Sequence, residues 1–330
     1  MRWLPLIVLL VAIGAGYVWL STETRPTEPG SEFFVRYNHP MGLSAALLDL
    51  RKRGVIRNVR AMRIWGVLTR RATRVRAGTY TFRGGLTAGE VFDLFEHPVF
   101  LMVRIPETNW ASRTSRLLAQ PQYQVCDSQD YMSLVKAPQS FASEVNFPLP
   151  NDSLEGYLYP DTYELAPLMG ARGVVLRQLK AFQAKIYDAF GKPKDLNRLL
   201  TLASMVQLEA GGAQDRYKIA GVIENRLAKH MRLQIDATLL YGIQKWRRLT
   251  FKDYRTLDTP YNTYLHDGLP PGPICSPDAD SVAAAIHPDR TGDYLFYVAL
   301  PGGKTLFAKS FAEHKRNIRL RNAMKKAMMK

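Results

Sequence analysis

The sequence predicts an α+β protein: an N-terminal transmembrane helix, a small α+β module, and a larger α+β domain built around a glutamate-bearing helix. Three observations carry this reading. Residues 3–20, WLPLIVLLVAIGAGYVWL, contain no charged side chain. Beyond them, stretches with helical periodicity alternate with short runs of strand-forming residues. In NRLLTLASMVQLEAGG, Asn197 to Gly212, the residues Leu202, Met205, Val206 and Glu209 fall at i, i+3, i+4 and i+7, so a carboxylate occupies an apolar stripe.

A chain of 330 residues exceeds one ordinary core and implies at least two domains. The expected divisions are an anchor over 1–20, a linker over 21–31, a module over 32–98 and a main domain over 99–330. Eighteen residues at roughly 1.5 Å each nearly cross a hydrocarbon core, and Trp3, Tyr17 and Trp19 suit its two interfaces. The alternative is a cleaved signal peptide using the small residues at Gly14 to Gly16, which leaves Tyr17 and Trp19 without a role. Arg2 favours a cytoplasmic N-terminus, placing residues 21–330 outside the cytoplasm. Ser21 to Ser31, with two prolines and mixed charges, is expected to be a flexible linker.

In the module, Leu43, Ala46, Leu47 and Leu50 have helical spacing, a second helix fits Val59 to Leu68, TYTF is a strand, and Thr87 caps a third helix in LTAGEVFDLFEH. From Arg51 to Arg83 there are eleven Lys or Arg and no acidic residue, within a chain of net charge +16. Such a bias points to an anionic partner. A place beyond the membrane argues against nucleic acid and leaves anionic lipid or a carboxylate-rich polymer.

In the main domain, Val99 to Ile105 is an expected strand and Ala111 to Leu118 a helix, while Tyr123 to Asp130 shows no period. Ser153 to Leu165 reads as an aromatic-lined loop or edge strand, and Val174 to Phe190 as an amphipathic helix. The Glu209 helix is expected to end on a left-handed Gly211 or Gly212 and to pair with a following helix carrying Ile219, Val222, Ile223, Arg226 and Leu227. Gly268 to Pro277 cannot be regular, DYLFYVALPGGKTLFA is a hairpin turning at Pro301-Gly302-Gly303, and the tail from Lys315, with seven basic residues, is a solvated helix end.

A carboxyl on an apolar stripe with no cation beside it resists ionisation and can serve as a general acid. The competing reading is a helix-end glutamate that reaches water or pairs with Arg216 or Arg226. Among other chemistries, the six histidines have no HExxH spacing, and GxSxG, GxxxxGK[ST] and GxGxxG are absent. No metal or cofactor is implied, and Cys126 and Cys275 read as two free thiols. Carboxylate acid–base chemistry remains.

LASMVQLEA, ENRLAKHMRLQIDATLLYG, TPYNTYLHDGLPPGPICSPDADSVAAAIHP, FAKSFAEH and, upstream, EGYLYPDTYEL resemble the endolytic murein transglycosylase family, and AGTYTF resembles its LysM-like domain. The resemblance implies a single-pass enzyme of the inner membrane. Its periplasmic domain would cut peptidoglycan between N-acetylmuramic acid and N-acetylglucosamine, leaving 1,6-anhydro ends on nascent strands, with peptidoglycan synthases as neighbours. The family's catalytic glutamate falls on Glu209, the second acidic position of an E-x-E pattern whose first position is here Gln207. Asp236-Ala237-Thr238, Thr305 and Glu313-His314-Lys315 also depart from the family pattern. Gln234, Asp236, Tyr261, Asn262 and Tyr264 are the expected cleft residues. A second carboxylate, Asp236 or Asp161, would instead permit a hydrolytic muramidase, and loss of activity would leave a peptidoglycan-binding scaffold.

Overall fold

The computed structural model describes residues 4–71 and 74–328. Met1, Arg2 and Trp3, on which the orientation and one interface of the anchor were read, lie outside them. Helix and strand are mixed, with only small two-stranded sheets among the described residues. The chain divides into two compact units. The first holds residues 1–103, 121–126 and 164–170, and the second holds 104–120, 127–163 and 171–330. Residues 99–103, 121–126 and 164–170 of the expected main domain thus belong with the first unit.

The first unit opens with α1 (Leu4–Glu23), an apolar helix whose described side chains stay outside any core. It runs three residues beyond the expected span. The expected flexible linker is instead a strap. Ser21 to Glu23 continue α1, and the Thr27 hydroxyl donates to the Val55 carbonyl at 3.2 Å while accepting the Gly85 N–H at 3.2 Å.

Strand β1 (Phe33–Tyr37) pairs antiparallel with β4 (Gly78–Phe82), and β2 (Met41–Gly42) with β3 (Arg74–Val75). Between them lie α2 (Leu43–Lys52) and α3 (Val59–Leu68), the latter capped by Asn58. Helix α4 (Ala88–Glu96) begins with a reciprocal capping box between Thr87 and Glu90, the arrangement that satisfies two orphan N–H groups at once. Val35, Leu47, Leu50, Met62, Tyr80, Phe82, Val91 and Phe92 meet in one core, as the period-2 and period-3.6 patterns require. Strand β5 (Leu101–Arg104) follows.

The second unit contains α5 (Ala111–Leu118), α6 (Ser128–Val135) and α7 (Ala171–Phe182), which continues as a π-helical turn over Gln183–Asp188, while β6 (Thr162–Leu165) straddles the division between the units. Next come α8 (Leu196–Glu209), α9 (Ala213–Ala228), α10 (Asp236–Gly242), α11 (Asp253–Thr256) and α12 (Ala279–Ile286). A hairpin of β7 (Phe296–Ala299) and β8 (Thr305–Ala308) and the long helix α13 (Phe311–Met328) close the chain. The core around α8 gathers Leu202, Met205 and Val206 with Ile219 and Ile223 of α9 and Ile274 from the irregular run.

Helix α8 ends at Glu209, but not on a left-handed glycine. Ala210 turns extended (φ −75°, ψ 121°) and Gly212, also extended, becomes the cap of α9, so two helix ends share a three-residue link. In the hairpin turn the expectation is met: Gly302 and Gly303 take φ of 89° and 86°, a region that favours glycine.

Candidate active site

Asp195 starts α8 by accepting the Arg198 N–H, and the buried Leu200, Leu202, Ala203, Met205 and Val206 fix the helix's rotation. The same rotation carries Glu209 to the edge of that buried face, at the last helical residue. There it forms one wall of a 480 Å³ cleft shared with Gln234, Asp236, Tyr264, Phe296, Tyr297, Thr305, His314 and Arg321. The Tyr297 hydroxyl donates to Glu209 Oε2 at 2.9 Å.

Glu209 keeps part of its surface on the cleft, yet the protein around its carboxyl raises its pKa to about 7. Burial is the main cause; the Tyr297 hydrogen bond opposes it and the negative charge of Asp236 reinforces it. Neither arginine in the competing reading neutralises this carboxyl. Arg216 pairs with Asp278 at 2.9 Å and Asp280 at 3.3 Å. Arg226 lines the cleft but donates to the carbonyls of Leu295, Arg232 and Leu233, tying α9 to the hairpin and to the strand-like run before α10.

The expected cleft residues separate into two groups. Gln234, Asp236 and Tyr264 line the cleft with Glu209, and Tyr264 donates to Asp236 Oδ1 at 2.6 Å. Gln234 is held at φ 53°, its N–H bonded to the Thr263 carbonyl at 3.1 Å. Asn262 and Tyr261 do not line it. Asn262 is fully buried, and its amide is occupied by the carbonyls of Leu257 and Tyr254 and by the Tyr264 N–H, so it shapes the loop that presents Tyr264. Tyr261 packs on Tyr241 with ring centres 4.8 Å apart. Asp161, the other possible second carboxylate, is absent from the lining and pairs with Lys185.

Gln207 has a role that a cleft residue would not. Its Oε1 accepts the Asp278 N–H at 3.1 Å and the Ser281 hydroxyl at 2.8 Å, fastening α8 to the start of α12. The tail from Lys315, expected to be a solvated helix end, also differs: its Ile318 and Arg321 line the cleft, together with Phe311 and His314 from the start of α13. Burial, reinforced by the charges of Arg226 and Arg321, lowers the pKa of His314, and its ring lies 5.2 Å from that of Phe296.

Three features escaped the sequence reading. Tyr297 lies in the expected hairpin, where alternation marks faces but not which face meets Glu209. The α13 stripe Phe311, His314, Ile318 and Arg321 has helical spacing and was readable, but its surrounding charge masked it. Glu155, the head of EGYLYPDTYEL, is a second buried carboxyl: both oxygens accept the Ala111 N–H, at 3.1 and 3.0 Å, and the Tyr241 hydroxyl lies at 3.4 Å. Burial lifts its pKa to about 7. It is not part of the cleft lining.

Among known proteins, the profile described as the YceG-like family matches residues 38–320. A Bacillus subtilis protein named endolytic murein transglycosylase is 31% identical over 92% of this chain and 89% of its own length. A Streptococcus pneumoniae protein of the same name is 26% identical over 92% of this chain, which spans 61% of that longer relative. The crystal structure of a YceG-like protein from Listeria monocytogenes superposes with a TM-score of 0.56 at 30% identity, covering 87% of this chain and 99% of that one.

Proposed function

The chain belongs to the YceG-like family, and from that premise we propose that it is an endolytic murein transglycosylase, held in a membrane by α1, with Glu209 as its single acid–base group. The observation that carries the reading is a cleft carboxyl with pKa about 7, in no ion pair among the described residues and hydrogen-bonded by Tyr297. Protonated Glu209 donates to the glycosidic oxygen between N-acetylmuramic acid and N-acetylglucosamine as the C1–O bond breaks. The 6-hydroxyl of the muramic acid attacks C1, and the newly formed carboxylate takes that hydroxyl's proton. The proton balance closes on one residue and no water is consumed.

A pKa near neutrality suits both halves, since the same group must give and then receive a proton. Asp236, hydrogen-bonded to Tyr264, adds its charge to the burial that keeps the acid protonated, and it lines the same cleft, where a sugar hydroxyl could be held. The first unit is read as the LysM-like module, α1 as the anchor of an inner-membrane protein with its enzyme domain in the periplasm, and nascent strands near their synthases as the substrate. Termination of glycan elongation is the physiological role that follows.

The experiment is Glu209→Gln. It is nearly isosteric, so circular dichroism should match the parent, while lytic turnover should fall by roughly 10²–10⁴-fold because an amide cannot donate the proton. Undiminished turnover would remove Glu209 from the reaction. A scaffold without activity would bind murein equally in both forms and cleave in neither.

A further inference from the structure

The outward stripe of α3 is unusual for a solvated helix. Arg60, Arg63, Ile64, Val67 and Leu68 fall at i, i+3, i+4, i+7 and i+8, and Ile64, Val67 and Leu68 are 46, 71 and 69% exposed. The opposite face, with Ala61, Met62 and Gly66, is buried in the core of the unit. Exposed Arg57, Arg60, Arg63 and Arg70 surround the aliphatic stripe and form no ion pair among the described residues. A helix with one face in the core and aliphatic side chains among arginines on the other has the composition of an interfacial helix.

The position of α3 supplies what composition alone does not. It belongs to the same unit as α1 and packs against it. Glu23, the last residue of α1, accepts a 2.9 Å hydrogen bond from the amide of Asn58, which is the cap residue of α3. The strap through Thr27 and Val55 removes the slack that a free linker would give. Twenty residues at roughly 1.5 Å make α1 about as long as a hydrocarbon core is thick, so its C-terminal end falls at the lipid–water boundary. The start of α3 is therefore at that boundary too.

We infer that α3 is a second membrane contact, an interfacial helix whose Ile64, Val67 and Leu68 enter the headgroup region of an anionic leaflet while Arg57, Arg60, Arg63 and Arg70 meet lipid phosphates. The inference is independent of the reaction assigned to Glu209 but rests on α1 being a retained anchor. Its consequence is that the module is clamped to the bilayer at two points rather than swinging on a tether.

The test uses the full chain with Cys126→Ser and Val67→Cys, carrying the environment-sensitive dye NBD at position 67; Cys275 is buried and protected from labelling. A second label, Leu68→Cys, guards against a local effect. The chain is reconstituted into vesicles of phosphatidylcholine alone or with roughly one third phosphatidylglycerol. In the mixed vesicles NBD should emit at shorter wavelength and lose roughly half its intensity to a doxyl-lipid quencher. Both effects should shrink in phosphatidylcholine and with Arg60→Glu and Arg63→Glu. Water-like emission in both vesicles, from a chain that stays with them, overturns this inference alone. A blue shift that ignores the lipid quencher and rises with protein density assigns the stripe to a second copy of the chain. A chain that leaves the vesicles removes the anchor reading, and the inference with it.

Discussion

The Tyr297 hydroxyl donates a 2.9 Å hydrogen bond to Glu209 Oε2, joining the first strand of the C-terminal hairpin to the last residue of α8. The bond stabilises the carboxylate, whereas the charge of Asp236 destabilises it, and burial outweighs both. In the proposed reaction the protonated acid is the competent form, so kcat/KM should fall as pH rises through about 7. In Tyr297→Phe the anion loses its donor, and the alkaline limb should move up by about one pH unit. Asp236→Asn should move the same limb down. A pH profile on glycan strands reads both shifts, and shifts of the same sign would contradict the electrostatic account.

Glu155 makes stability depend on pH. Its folded pKa, near 7, lies above the ordinary carboxyl value, so between roughly 4.5 and 7 the folded chain holds a proton that the unfolded chain releases. Stability is full below that window and declines as pH rises through it; Glu209 adds a decline of the same sign. Glu155→Gln can still accept the Ala111 N–H and has no charge to bury. Chemical denaturation should show it gaining on the order of 1–3 kcal/mol relative to the parent on going from pH 5 to pH 8.

Gly221 sets the approach of α9 to the chain after α12. A β-carbon at this position would collide with the Asp289 carbonyl, while the Asp289 N–H donates to the Tyr217 carbonyl at 2.9 Å. The backbone cannot yield as a flexible side chain would. Gly221→Ala should therefore destabilise by about 1–3 kcal/mol despite its better helix propensity, visible as a lower Tm.

Much of this architecture was legible because local chemistry decided it. Val59 to Leu68 is helical to the residue, Thr87 caps α4, and the glycines of the Pro301 turn adopt the expected conformation. Glu209 stood out because it broke an apolar period on a helix whose neighbours are buried. The remaining features depend on distant partners. Asn262 resembles a sugar-binding amide, yet carbonyls within its own loop consume it. The linker at Thr27 has a disordered composition, but two hydrogen bonds to the module order it. Tyr297 lies 88 positions beyond Glu209 in the chain, and no local period encodes their meeting.

In the proposed reaction the sugar supplies its own nucleophile and Glu209 carries both proton transfers. The most direct test is mass spectrometry of glycan products formed by the full-length protein in oxygen-18 water. Intramolecular attack gains the large effective molarity of a tethered group and needs no positioned water. The products should carry 1,6-anhydromuramic acid ends without oxygen-18. Reducing ends containing oxygen-18 would contradict the account, making the enzyme a hydrolase and moving attention to Asp236 as a second carboxylate beside Glu209.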